Sequence, residues 1–281
     1  MRGFMKLPEP ALQACTRAGL SFLTDEPLFA ATGVRMGFTR RMGGVSEPPY
    51  DSLNLGSHVG DSLPAVEENR RRLLAAADLD ATALLTLNQV HGSRVLTVSS
   101  AAPAVLEATA RAGAEGADGL AVGVPAVTAL LCFADCVPVV VVSPSGAFAV
   151  AHAGWRGALA GIPAKAVRAV AQLDAQAARS DFSPSDYNGY IGPHIMAKCY
   201  ECGEDVISRF VDGYGKACAP LPGHLSLEAA VRASFAEAGL VPQRIASAGE
   251  CTACSADEYF SYRESGGRTG RHGAFAGRKE E

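Results

Sequence analysis

Two apolar runs, Val137-Pro138-Val139-Val140-Val141-Val142 and Ala147-Phe148-Ala149-Val150-Ala151, stand on either side of Ser143-Pro144-Ser145-Gly146. Each run is short and rich in β-branched or small residues, so each reads as a buried strand. A four-residue link carrying Pro and Gly turns the chain straight back, because parallel neighbours need a crossover of a dozen or more residues. The pair is therefore an antiparallel hairpin, which excludes a purely parallel, doubly wound sheet. No Gly-x-Gly-x-x-Gly or Walker-type lysine motif follows a strand-like run, which removes the usual dinucleotide and P-loop readings.

Further strand-like runs occupy residues 84–90, 94–98 and 126–132, giving a sheet of mixed direction. Residues 61–77 read as a helix, with Asp61 or Ser62 as cap, Pro64 in the first turn and Val66, Leu73, Leu74 and Ala77 on one face. Its Arg70-Arg71-Arg72 run is expected to face water. A second helix is expected to begin just after Gly157, with Ile162, Ala166, Val170 and Leu173 as its apolar stripe. A third covers 227–238, where Gly239 is placed to end it. The expectation is one α/β (α+β) domain over residues 1–281, with mixed sheets flanked by helices and with mobile ends at 1–20 and 266–281.

Hydrophobic residues at 48% and charged residues at 19% exclude an extended disordered chain. A net charge of −4 leaves no basic footprint for nucleic acid. The longest apolar region, 119–142, contains Asp135 and is interrupted by Pro125 and Pro138, so it reads as two buried strands and no membrane partner is expected. Pro8, Glu9 and Pro10 arrive before any signal-length apolar core. The chain is expected to be cytoplasmic, its eight cysteines free thiols or metal ligands.

Three motifs end strand-like runs with residues that can bind metal: Asn88-Gln89-Val90-His91-Gly92, Ala134-Asp135-Cys136-Val137-Pro138 and His152-Ala153-Gly154-Trp155-Arg156-Gly157. Singly, each reads as a hydrogen-bonded histidine or a buried thiol. Together, two imidazoles and a thiolate suit Zn, and three ligands without an obvious fourth point to a catalytic site. Asp135 is then a candidate to accept or return a proton. Arg156, before the second helix, is a candidate to hold phosphate. The glycine-rich stretches around Arg41 and around Asn54 place polar side chains where they can converge on a ligand. Two histidines and one cysteine also suit copper, so copper can bind, but six histidines in the whole chain cannot furnish a full multicopper set.

These motifs resemble the laccase-domain family, also called multicopper polyphenol oxidoreductase-like proteins, purine nucleoside phosphorylases and peptidoglycan editing factors. The resemblance runs from Arg41-Met42-Gly43-Gly44-Val45-Ser46 and Ser52-Leu53-Asn54-Leu55-Gly56 through the three motifs. It continues through Ile191-Gly192-Pro193-His194, Cys199-Tyr200-Glu201, Cys251-Thr252 and Phe260-Ser261-Tyr262-Arg263. It implies zinc on His91, Cys136 and His152, and catalysis by these three with Asp135. Adenosine, inosine and methylthioadenosine would be cleaved with phosphate, and adenosine would be deaminated; for such substrates Arg41 and Asn54 are the candidates to hold ribose or base. The runner-up is a metal-dependent amidase acting on UDP-muramyl peptidoglycan precursors. The chain departs from the family at Leu225-Ser226-Leu227, where an Asp is usual, and at Cys202. A rival of another class is a zinc-stabilised binding protein built on Cys199-x-x-Cys202 and Cys251-x-x-Cys254, since two such pairs are a zinc signal.

Overall fold

Successive residues of the Val137–Val142 strand are buried on both faces, so this strand needs a packed layer on each side. The computed structural model describes residues 6–177 and 181–280 and supplies those layers. In chain order its elements are β1 (Gln13–Arg17), β2 (Leu20–Thr24), α1 (Glu26–Thr32), β3 (Arg35–Thr39), α2 (Leu63–Ala76), β4 (Ala83–Thr86), β5 (Val95–Val98) and α3 (Pro103–Glu115). There follow β6 (Gly119–Val122), β7 (Val127–Phe133), β8 (Val137–Val142), β9 (Phe148–Ala153), α4 (Trp155–Leu159), α5 (Ile162–Gln176) and β10 (Asn188–Ile191). The last are α6 (Glu204–Tyr214), α7 (Leu227–Glu237), β11 (Ile245–Ser247) and β12 (His272–Arg278).

Two six-stranded sheets result, ordered β1-β2-β3-β12-β7-β4 and β11-β10-β8-β9-β6-β5. Both are mixed: β4 runs parallel to β7, and β5 to β6, while β8 and β9 pair antiparallel from Val137–Ala153 to Val142–Phe148. Period-two alternation sorts the side chains into three cores. Met36, Phe38, Leu131 and Ala274 of the first sheet meet Leu120, Val140, Val150 and Tyr190 of the second. Val139, Val141 and Ala149, on the other face of the second sheet, pack against Val167 and Val170 of α5 and Phe235 of α7. Phe22, Leu130 and Phe275, on the outer face of the first sheet, pack against Leu73 and Ala76 of α2. The order is helix, sheet, sheet, helices, and each fully buried Val, Leu or Phe contributes roughly 1.5–3 kcal/mol.

The sequence-based helices at 61–77 and 227–238 correspond to α2 and α7. The helix expected after Gly157 is instead two pieces, α4 and α5, separated by Gly161 in the left-handed region at φ 73°. The stretches expected as mobile ends supply sheet: β1 lies within 1–20, and β12 within 266–281 sits between β3 and β7. Residues 1–5 and 281 lie outside the described residues. No helix among the described residues is long and apolar enough to cross a membrane.

Candidate metal centre and pocket

The register of β8 and β9 places Pro138 opposite His152, so Cys136, two residues before Pro138, arrives beside the imidazole. His91 comes from the loop after β4. Gln89 docks that loop on β7 through paired hydrogen bonds to the Cys132 backbone, its amide donating to Cys132 O and its carbonyl accepting from Cys132 N, each at 2.8 Å. The ligand atoms of His91, Cys136 and His152 lie within 4.8 Å of one another, so the three can hold a metal ion. His91 is exposed and His152 buried, which leaves one side of the group open.

Asp118, just before β6, organises this group from behind. Its fully buried carboxylate accepts the backbone N–H groups of Val90, His91 and Gly92 at 2.7–3.2 Å, and lies 2.8 Å from Nδ1 of His152. The carboxylate thereby fixes the His152 tautomer, leaving Nε2 for a ligand role. It also holds His91 in the left-handed region at φ 59°, sparsely populated for a residue with a side chain. Burial alone would raise the Asp118 pKa, but the bonds from His152, Gly92 and Val90 hold it below the usual carboxylate value. Asp118 was missed by the sequence reading, because Gly-Ala-Asp-Gly carries no motif.

Burial also works against charge on Cys136 and His152, yet their mutual attraction wins. The His152 charge and hydrogen bonds from both histidines bring the Cys136 thiol down to about 6. Cys136 and Asp118 push His152 up to about 9. The thiolate form needed for metal binding is thus favoured near neutrality. Gly154 makes room for the group: a Cβ there would lie 2.7 Å from His91 Cδ2 and 3.3 Å from Cys136 Sγ.

The triad opens into a cavity of about 1080 Å³. Tyr200, Tyr262 and Trp155 line it, and so do His58, Arg70, Arg263 and Arg271. None of these three arginines forms an ion pair among the described residues. Arg70 donates to Leu55 O, Arg271 to the carbonyls of Thr269 and Gly270, and Arg263 to those of Cys199 and Glu201. Arg70 therefore does not face bulk water with Arg71 and Arg72, which pair with Glu68.

The remaining sequence candidates lie as follows. Asp135 lines the cavity in the left-handed region at φ 82°, its carboxylate accepting from the Thr252 hydroxyl at 2.6 Å and the Arg263 N–H at 2.7 Å. Arg41, Asn54 and Arg156 are not on the cavity wall. Arg41 pairs with Asp51 and packs over Phe260. Asn54 is buried, binding Asp61, both backbone groups of Gly56 and the Arg271 N–H, so it braces residues that do line the cavity. Arg156 points to a separate surface depression, over the Trp155 ring and beside Arg209.

Fold and site together define a two-sheet α/β protein in which a group of His and Cys side chains able to hold a metal opens into a deep, cation-lined pocket. The chain belongs to the multi-copper polyphenol oxidoreductase laccase family, whose family model matches residues 35–279. Purine nucleoside phosphorylase YlmD of Geobacillus stearothermophilus is 36% identical over 267 residues, covering 91% of this chain and 93% of that protein. Purine nucleoside phosphorylase YfiH of Escherichia coli K12 is 34% identical over 249 residues, covering 86% and 93%. Among solved structures, Geobacillus YlmD superposes with a TM-score of 0.80 at 32% identity, over 97% of this chain and 100% of that one. The hypothetical protein YfiH of Bacillus licheniformis also superposes at 0.80, with 31% identity over 95% and 99%.

Proposed function

We propose that this protein is a zinc-dependent purine nucleoside phosphorylase that cleaves adenosine, inosine and methylthioadenosine with phosphate, and also deaminates adenosine. One observation carries the reading: a single cavity has the His91–Cys136–His152 group, aromatic rings and three guanidinium groups without carboxylate partners on its walls. A nucleoside and a phosphate dianion require these surfaces, and the names of the relatives agree with that pairing.

His91, Cys136 and His152 would hold the zinc ion, which would supply Lewis acidity to the cavity when bound. Arg70, Arg263 and Arg271 hold the phosphate, replacing the Arg156 site expected from sequence, and Tyr200 and Tyr262 offer rings to the base. A phosphate oxygen forms a bond to the anomeric carbon while the bond from that carbon to the purine nitrogen breaks; the electron pair leaves with the purine, which takes up a proton. For deamination, a water oxygen forms a bond to C6 of the purine while the bond from C6 to the amino nitrogen breaks; the amino group takes up a proton and leaves as ammonia. Asp135 has lone pairs beyond those used by Thr252 and Arg263 and is the proposed proton acceptor. The amidase reading draws on the cavity volume, at the upper end of small-ligand sites and roomy for a nucleoside.

The test is product analysis by liquid chromatography after incubating metal-quantified protein with adenosine and phosphate, beside Cys136→Ala. Adenine or inosine formed by the parent and not by the variant supports the reading and identifies the bond cut. Neither product, with zinc bound, moves the assignment to the amidase. Arg271→Gln is expected to raise KM for phosphate about tenfold or more, with KM for adenosine little changed.

A further inference from the structure

We propose a second metal site, made by Cys199, Cys251 and Cys254, that binds a thiophilic cation such as Zn²⁺ and staples one wall of the pocket. It is independent of the activity proposed above. Sequence spacing suggests two Cys-x-x-Cys pairs, but the fold separates them. Cys202 packs against the helix-side core and engages Tyr200. The other three thiols converge, with all three sulfurs within 4.8 Å of one another and the Cys199 and Cys254 sulfurs 3.3 Å apart.

Sulfurs bound to one zinc at about 2.3 Å lie roughly 3.8 Å apart in a tetrahedron, so the three occupy a spacing close to one tetrahedral face. Cys254 is exposed and Cys251 buried, so water can reach the group to serve as a fourth ligand. The surroundings suit an anionic tris-thiolate centre. The Met196 N–H donates to Cys251 Sγ at 3.4 Å, and the Lys198 ammonium is near enough to Cys254 for the thiol to raise the lysine pKa. Three thiolates on a dication keep one net negative charge, and Lys198 offsets it.

Backbone pairing has already aligned the two segments, with His194 N–H donating to Glu250 O and Thr252 N–H to His194 O. Both segments then reach the cavity. Tyr200 follows Cys199, and Arg263 donates to Cys199 O. Thr252, next to Cys251, holds Asp135. An ion on the three thiols thus ties the segments carrying Tyr200, Arg263 and Asp135 together.

The test measures zinc per chain on full-length protein reduced, reloaded with Zn²⁺ and desalted. The parent is expected to carry two zinc ions, Cys254→Ser one, and His91→Ala/His152→Ala one. Cys202→Ser is expected to keep two. Replacing zinc with Co²⁺ in His91→Ala/His152→Ala is expected to give intense thiolate-to-cobalt charge-transfer bands that Cys254→Ser in that background weakens. Cys254 is exposed on a loop, so its change leaves the fold intact, which circular dichroism checks. A Cys254→Ser protein that matches the parent's zinc count overturns the proposal. So does a reduced parent whose only zinc is lost in His91→Ala/His152→Ala, or a parent whose mass shows a Cys199–Cys254 disulfide and which, after reduction, takes up no ion that Cys254→Ser removes.

Discussion

Two groups of three side chains in this protein are each compact enough to hold a metal ion and differ in chemistry. His91, Cys136 and His152 are carried at sheet ends and backed by a buried carboxylate, Asp118. Cys199, Cys251 and Cys254 are carried on loops, and their charged neighbour is a cation, Lys198. A carboxylate behind an imidazole makes it a better and better-aimed donor, whereas a cation beside thiolates calms their charge. An ion in the first group would have a single anionic ligand and stay able to act on a substrate; one in the second would be surrounded by three thiolates and would serve to hold chain together. Proximity alone does not distinguish catalytic from structural metal sites, and the surrounding charge does.

The largest test of this contrast is His152→Ala. Zinc at the first group and turnover are both expected to vanish, an effect exceeding the roughly 10–100-fold that loss of an outer partner costs, while one zinc remains on the thiols. Retained turnover in a variant with no zinc at the first group would break the contrast. Asp118→Asn sharpens it, because size is kept and only charge is lost. Metal affinity at the first group is expected to fall about 10–100-fold in a competitive chelator titration, with the second group unaffected.

Acid stability probes what the two regions share, a buried imidazole. His272, stacked on Phe133 behind His152, is pushed down to about 3 by burial and the Arg271 charge. His194, paired through backbone with the Cys251 segment, is also lowered by burial. In the unfolded chain a histidine takes a proton near pH 6.5 that folded His272 refuses, so stability is full above that pH and drains as pH falls toward about 3. The loss from His272 is on the order of a few kcal/mol, and His272→Leu is expected to flatten that limb in urea titrations at stepped pH. An unchanged limb would count against a neutral His272. The smallest effect is expected from Cys202→Ser, about 1 kcal/mol or less in stability, with zinc content kept.

How much of this could be read beforehand varies with the range of the interaction. The β8–β9 hairpin, the α5 stripe and the α7 end were legible because they are fixed by neighbours in sequence. His91, Cys136 and His152 stood out because motifs at strand ends advertise them. Asp118 did not, since its partners at 90–92 and 152 are distant in sequence and bind it through backbone and one ring. Strand β12 was unread because Gly273, Gly277 and His272 look unlike a strand; the glycines are there because Leu55, Leu130 and Thr128 fill the space a Cβ would need. Arg156 misled because its motif adjoins the site while its side chain turns over Trp155, and Cys202 because a two-residue spacing ignores which way the chain bends.

The position of β12 also bears on how the protein is made. The strand is hydrogen-bonded along β7 on one side and β3 on the other, so a growing polypeptide cannot close its first sheet until residues 272–278 have emerged from the ribosome. Until then β3 and β7 present open edges, the kind that recruit other chains. A chain that lacks these residues should be insoluble, because the edges of β3 and β7 stay open. Emergence of this strand thus acts as a checkpoint on the pocket, because Arg271, at its threshold, reaches the cavity wall only when the sheet is closed.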